Sequence, residues 1–290
     1  MLDPETQDRV APFMVRGING LTAYDSTGEG PACVFVHGVG LNRRIWAGQV
    51  EPFAHSHQVI TYDLIGHGRS DTLRGPLTLA DFAGQLLALI DALGLRRIHL
   101  VGHSLGALIA IEFALQHPER VVALVAMNAV FHRSDAQRQA VAERAARLEQ
   151  GEAGNLADAT ITRWFGDPVP ERLAHHAGRV RDMLMKTGAE GYAVAYRLFA
   201  EADTAHAGWL AGLHAPALFM TGSDDPNSTP EMSSAMAAQC PDAELAIIEG
   251  ERHMMLMTAP EAVNTRILRF FEDVRQRKGQ AQMHSGGACS

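Results

Sequence analysis

Along the chain, short apolar runs alternate with longer segments whose apolar positions recur every three or four residues. That order predicts strands and helices in turn, and hence a mostly parallel sheet covered by helices. Val10 to Ile18 and Leu21 to Asp25 read as an opening hairpin around Asn19-Gly20, a pair suited to a tight hairpin turn. Buried strands follow at Ala32 to His37 and Gln58 to Asp63. From Thr78 to Leu93 the spacing turns helical, with Thr78 as N-cap, Asp81 three residues on and Gly94 as the stop. Arg97 to Gly102, Ser104 to His117 and Val121 to Met127 continue as strand, helix and strand, the helix ending before Pro118.

Beyond His132 the strand signal vanishes. To about Leu213 the sequence is rich in Ala, Arg and Glu with helical periodicity, and it reads as a helical insertion. Sheet-type runs resume at Ala217 to Thr221 and Glu244 to Ile248, separated by a helix that Thr229 caps with Pro230 in its first turn. A last helix is expected from about Pro260 to Arg277. The pattern thus predicts an α/β fold with eight strands: a core from residues 1–131 and 214–278, an insertion at 132–213, and a small, polar, flexible tail at 279–290.

Composition narrows the class of partner. With 290 residues, 47% of them hydrophobic and 20% charged, the chain has material for a sizeable core. The net charge of -8, with no basic run longer than a pair such as Arg43-Arg44, argues against nucleic acid and anionic membranes as partners. No stretch approaches the ~18 uninterrupted apolar residues of a spanning helix. Met1 to Arg9 has neither a basic leader nor an apolar core, so no secretory signal is expected and the cytoplasm is the default. Cys33, Cys240 and Cys289 are too scattered for a disulfide framework. No oligomeric state is specified.

The chemistry concentrates at Gly102-His-Ser-Leu-Gly106, between a predicted strand and a predicted helix. A turn that tight needs glycine two residues to either side of Ser104, and it places the serine at the positive end of a helix dipole. His37-Gly-Val-Gly40, ending an earlier buried strand, offers main-chain N–H groups; Val39 and Leu105 are the expected oxyanion donors. A serine hydroxyl needs a base, and the base needs an orienting carboxylate. Of 14 histidines, His253 falls in the loop after the last predicted strand. Gly222-Ser-Asp-Asp225 ends the strand before it, and Asp225, next to Pro226, is preferred over Asp224. The chain order Ser104, Asp225, His253 is that of α/β-hydrolases.

The chain resembles the α/β-hydrolases over nearly its whole length. His37-Gly-Val-Gly40, Asp63-Leu-Ile-Gly-His-Gly-Arg-Ser70, Gly102-His-Ser-Leu-Gly106, Gly222-Ser-Asp-Asp225 and Gly250-Glu-Arg-His253 come in that family's order and spacing. The resemblance implies a serine hydrolase whose insertion at 132–213 is a cap domain. Arg163-Trp-Phe165 and the general layout look most like 3-oxoadipate enol-lactonases and related small-ester hydrolases. Relatives on this fold that need a carboxylate at the elbow are set aside by Ser104. The expected substrate is a small-molecule ester or lactone. The alternatives are a C–C bond of a ring-fission product, a small amide, or a ligand bound without turnover.

Substrate contacts are expected from Arg43, Arg44 and Trp46 just after the oxyanion loop, where arginine would pair with a substrate carboxylate. Further candidates are His37, Trp164 and Met254, with His103 beside the serine better suited to packing than to proton transfer. No metal-ligand spacing and no dinucleotide fingerprint occurs, so neither a metal nor another cofactor is implied.

Overall fold

A computed structural model describes residues 11–17 and 20–286. Residues 1–10, Ile18, the turn residue Asn19 and residues 287–290 of the predicted tail lie outside the described residues. Strands β1 (Phe13–Gly17), β2 (Gly20–Thr27), β3 (Ala32–Val36), β4 (Gln58–Tyr62), β5 (Ile98–His103), β6 (Val121–Met127), β7 (Ala217–Gly222) and β8 (Ala243–Ile248) form one eight-stranded sheet. Its order is β1-β2-β4-β3-β5-β6-β7-β8. The β1-β2 and β2-β4 pairs are antiparallel and all others parallel, as the alternating pattern predicts.

Burial explains the sequence pattern. Every residue of β3, β5 and β7 is buried, because helices cover both faces of the central strands and continuous apolar runs are required there. At the edge, β8 leaves Leu245 and Ile247 exposed although the run is apolar. Register then matters for function. Val36 pairs with Gly102, Gly102 with Ala126, Met127 with Met220 and Gly222 with Ile248. The parallel strands therefore end along one rim, where ligand sites of such sheets form.

The core helices are α1 (Ala47–Ala54), α2 (Leu79–Ala92) and α3 (Leu105–Gln116). Four helices then fill the predicted insertion: α4 (Asp135–Glu149), α5 (Ala153–Phe165), α6 (Ala174–Lys186) and α7 (Ala189–Glu201). The set closes with α8 (Pro230–Ala237), α9 (Met255–Thr258) and α10 (Pro260–Gly286). Thr78 and Asp81 form the expected capping box on α2, and Gly94 takes φ +68° beyond its end. Thr229 precedes α8 without a capping bond from its side chain. The last helix, expected to stop near Arg277, continues to Gly286. Short α1, with Pro52 inside it, gave no periodic signal of its own.

Asp203 ties the two ends of the insertion together. Its carbonyl accepts the N–H of His132 at 2.9 Å, and its carboxylate accepts the N–H of Arg133 at 2.8 Å and the guanidinium of Arg138 at 2.7 Å. Among the described residues, no helix is long and apolar enough to cross a membrane.

Candidate active site

Ser104 joins β5 to α3 at φ 57°, ψ −119°, a left-handed conformation that strains a residue with a side chain. Close packing enforces it. A Cβ on Gly102 would lie 2.2 Å from the Gly106 carbonyl oxygen, and one on Gly106 would lie 2.2 Å from that of Val36. Glycine alone fits at both places, so β3, β5 and α3 meet tightly around the turn. The Ser104 N–H donates to Met127 O at 2.9 Å, anchoring the turn to β6. The serine stands at the start of α3, whose first N–H groups have no partner inside the helix and whose dipole favours negative charge.

Asp225 follows β7, His253 follows β8, and both are buried. The His253 Nδ1–H donates to Asp225 Oδ2 at 2.8 Å. The same oxygen accepts the Ser228 hydroxyl at 2.7 Å and the Asn128 side-chain amide at 2.8 Å, while Oδ1 accepts the Asn227 N–H at 2.8 Å. Burial by itself raises the Asp225 carboxyl. The His253 imidazole and the donors at Ser228 and Asn227 outweigh it and hold the group below its usual range. Asp224 is exposed and accepts the Ser223 hydroxyl at 3.0 Å. Asn128, which carries no charge and so drew no role from the sequence, acts here as a donor to the buried carboxylate.

Gly38 approaches the serine so closely that a Cβ on it would lie 3.1 Å from Ser104 Cβ. Val39 lines the same cavity as Ser104, and Leu105, as the first residue of α3, keeps its N–H outside the helical ladder. His37 is turned away from the cavity. Its Nε2 accepts the Leu64 N–H at 3.0 Å, so its proton sits on Nδ1, which donates to Gly38 O at 2.8 Å. His103 packs behind His253, with Nε2 2.9 Å from the His253 carbonyl oxygen and ring centroids 4.9 Å apart.

Four buried histidines favour the neutral form. Burial, aided by the neighbouring His253, pushes His103 down to about 3, and burial with nearby His57 takes His99 to about 4. His37 and His67 are lowered as well, chiefly by burial. The unfolded chain binds these protons near pH ~6.5. Below that value the unfolded state holds more protons than the folded one, so stability falls as pH falls. Urea unfolding should show a constant midpoint above pH ~7.5 and, by pH ~5.5, a loss of about 1 kcal/mol for each of His103 and His99, with His37 and His67 adding in the same direction. An unchanged midpoint at the lower pH would mean that the histidines protonate freely in the folded protein.

A cavity of about 190 Å³ lies between the rim of the sheet and the insertion. Ser104, His253 and Val39 line one side, and Arg133, Arg144, Arg163, Trp164, Tyr196 and Phe199 line the other. Trp164 is the one expected substrate contact that reaches it, with its ring centroid 5.0 Å from that of His253. Arg43 does not, because its guanidinium is consumed by Asp25 at 2.6 Å and Asp63 at 2.7 Å. Arg44 lies half-buried outside the lining. Trp46 is fully buried against Phe35, with centroids 5.0 Å apart, and Met254 is likewise core.

The cationic wall of the cavity was missed from the sequence. Arg144 donates to Tyr196 Oη at 2.9 Å. Arg133 lies 4.5 Å over the Phe199 ring and 3.7 Å from Asp203, and its Nη2 has no protein partner. Arg163 donates to Thr160 at 3.1 Å, leaving a buried Nε unpaired. Burial, then the Arg144 cation, lowers the Arg163 guanidinium. Among the described residues, no Asp or Glu side chain lines the cavity. A signal did exist: Arg144 interrupts the apolar stripe Val141, Ala145, Leu148 of α4, the face that α4 buries.

A family model for the alpha/beta hydrolase fold matches residues 31–260. The (E)-2-((N-methylformamido)methylene)succinate hydrolase of Acinetobacter baylyi is 39% identical over 85% of this chain and 92% of its own length. The 3-oxoadipate enol-lactonase 1 of the same organism is 34% identical over 69% of this chain and 73% of its own. The crystal structure of the enol-lactonase from Burkholderia xenovorans superposes with a TM-score of 0.84 at 26% identity, covering 90% of this chain and all of that one. The chain belongs to the alpha/beta hydrolase fold family and is a hydrolase.

Proposed function

We propose that the protein is a serine hydrolase acting on a small, carboxylate-bearing ester or lactone. The observation that carries this reading is the cavity itself, where Ser104, His253 and Val39 face three arginines and, among the described residues, no acidic side chain. Ser104 Oγ attacks the carbonyl carbon and His253 takes its proton through Nε2, since Nδ1 is held by Asp225. The N–H groups of Val39 and Leu105 stabilise the oxyanion. His253 then protonates the leaving group, and water, activated by the same imidazole, releases the acid from Ser104.

The arginines set the substrate class. An anion supplies acceptors for the unpaired nitrogens of Arg163 and Arg133, and guanidinium binds carboxylate in two-pronged fashion. The names of both Acinetobacter relatives specify acidic substrates, a succinate derivative and an oxoadipate enol-lactone. The first name also favours a second reading, in which the same residues cleave an amide-type linkage beside a carboxylate.

The test compares monoethyl succinate with diethyl succinate by acid release in a pH-stat. The half-ester is expected to have the higher kcat/KM by at least about tenfold, the worth of one charge-assisted hydrogen bond. Arg144→Gln and Arg163→Gln should each erase most of that advantage through KM while leaving the diester rate within about threefold. Equal loss on both esters would show that the arginines hold the cap together and do not read charge.

A further inference from the structure

The oxyanion donor assigned to Val39 is useful only if its N–H is aimed at the carbon attacked by Ser104, and the aim depends on two peptide planes. The Gly38–Val39 peptide carries the donor, and its carbonyl oxygen accepts the His37 Nδ1–H at 2.8 Å and the Leu41 N–H at 3.3 Å. The Val39–Gly40 peptide presents its N–H to His67 Nε2 at 3.0 Å. Because peptide units are planar, holding the planes on both sides of the Val39 Cα fixes its φ and ψ, and with them the direction of its N–H.

His67 is built for that task. It is fully enclosed, and its Nδ1–H donates to Ile65 O at 2.9 Å. Accepting the Gly40 N–H requires the lone pair on Nε2, so both contacts agree on a single neutral tautomer. Gly40 has φ +74°, and a Cβ there would strike Leu184 of α6 and Tyr192 of α7 at 2.7 and 2.8 Å. The Thr187 hydroxyl, between those helices, lies 2.9 Å from Gly40 O and also 2.9 Å from Met183 O. The oxyanion loop is therefore pinned from the core by His67 and from the insertion by Thr187.

We propose that His67 is a positioning residue for the Val39 oxyanion amide, acting through the Gly40 N–H. This rests on the reading of Ser104 and Val39 given above. His67 touches no reacting atom, so its contribution is carried by geometry alone.

Two substitutions separate the parts of the imidazole. His67→Gln places Oε1 near the position of Nε2 and keeps an acceptor for the Gly40 N–H. His67→Asn keeps a donor for Ile65 O and loses that acceptor. With p-nitrophenyl acetate, His67→Asn should lower kcat by about 10- to 100-fold at a KM within twofold, less than the full loss of an oxyanion donor. His67→Gln should recover kcat to within about fivefold of wild type. Equal kcat in the two variants, or a loss carried by KM, overturns the proposal. Should neither variant fold by circular dichroism, Thr187→Val decides: a severalfold drop in kcat at constant KM supports the pinned loop, and an unchanged kcat overturns it. Ser104→Ala in the same assay tests the underlying reading on its own, because turnover that survives it removes the oxyanion intermediate from consideration whatever His67 does.

Discussion

Ser104→Ala is expected to lower kcat by about 10⁶-fold and to abolish labelling by a fluorophosphonate probe, the scale seen when a triad nucleophile is removed. The magnitude follows from the arrangement around the serine. His253 has its Nδ1–H held by Asp225, which leaves Nε2 to take the Ser104 proton in the proposed mechanism, and without the hydroxyl that base has nothing to activate. Residual rate over water would come from the oxyanion amides and from binding. Alanine should fold, since the methyl group keeps the Cβ and the Ser104 N–H keeps its bond to Met127 O. Its strain at positive φ is the same as that of serine. Labelling at a site other than Ser104, read by peptide mass, would falsify the assignment. Full ligand binding with no turnover by the native protein on any ester, lactone or amide would instead favour a receptor.

Asp225→Asn is expected to cost roughly 10⁴-fold in kcat, while Asp224→Asn stays within about tenfold. The structure gives the difference a cause. Asp225 Oδ2 gathers donors from His253, Ser228 and Asn128 within 2.8 Å, a set that an amide nitrogen cannot receive. If the asparagine turns its oxygen toward them, its NH₂ faces the Asn227 N–H; if it turns its nitrogen toward them, donor meets donor. Either way the Nδ1–H tautomer of His253 loses the charge that stabilises the imidazolium. The Asp224 carboxylate is exposed and accepts the hydroxyl of its neighbour Ser223, so its loss is screened by water. Circular dichroism should show both variants folded. A reversed order of the two losses would move the acid to Asp224.

The residues proposed for the triad could be picked out because each sits where a local pattern changes. Ser104 is bracketed by glycines between an apolar strand and an apolar helix, and Asp225 and His253 begin the loops after two later strands. Such positions are set by hydrogen bonds and sterics within a few residues, and parallel strands carry all the loop starts to one rim. The substrate contacts were not legible in the same way. Arg43 looked available because it follows the oxyanion loop in sequence. Its true partners, Asp25 and Asp63, are 18 and 20 residues away and become neighbours only through the β3-β4 and β2-β4 pairings.

What the sequence by itself determined is the alternation of strand and helix, the capped helix at Thr78, the tight turn at Ser104 and the strand-end loops that carry Asp225 and His253. These depend on periodicity and on backbone preferences, which act along the chain. Tertiary structure alone decided that Asn128 and Ser228 donate to Asp225, that His37 bonds to Gly38 O and His67 to the Gly40 N–H, and that Arg133, Arg144 and Arg163 share one cavity with Ser104. Those contacts depend on how the helices of the insertion lie against the sheet, and that packing is settled by side-chain shape between segments remote in sequence.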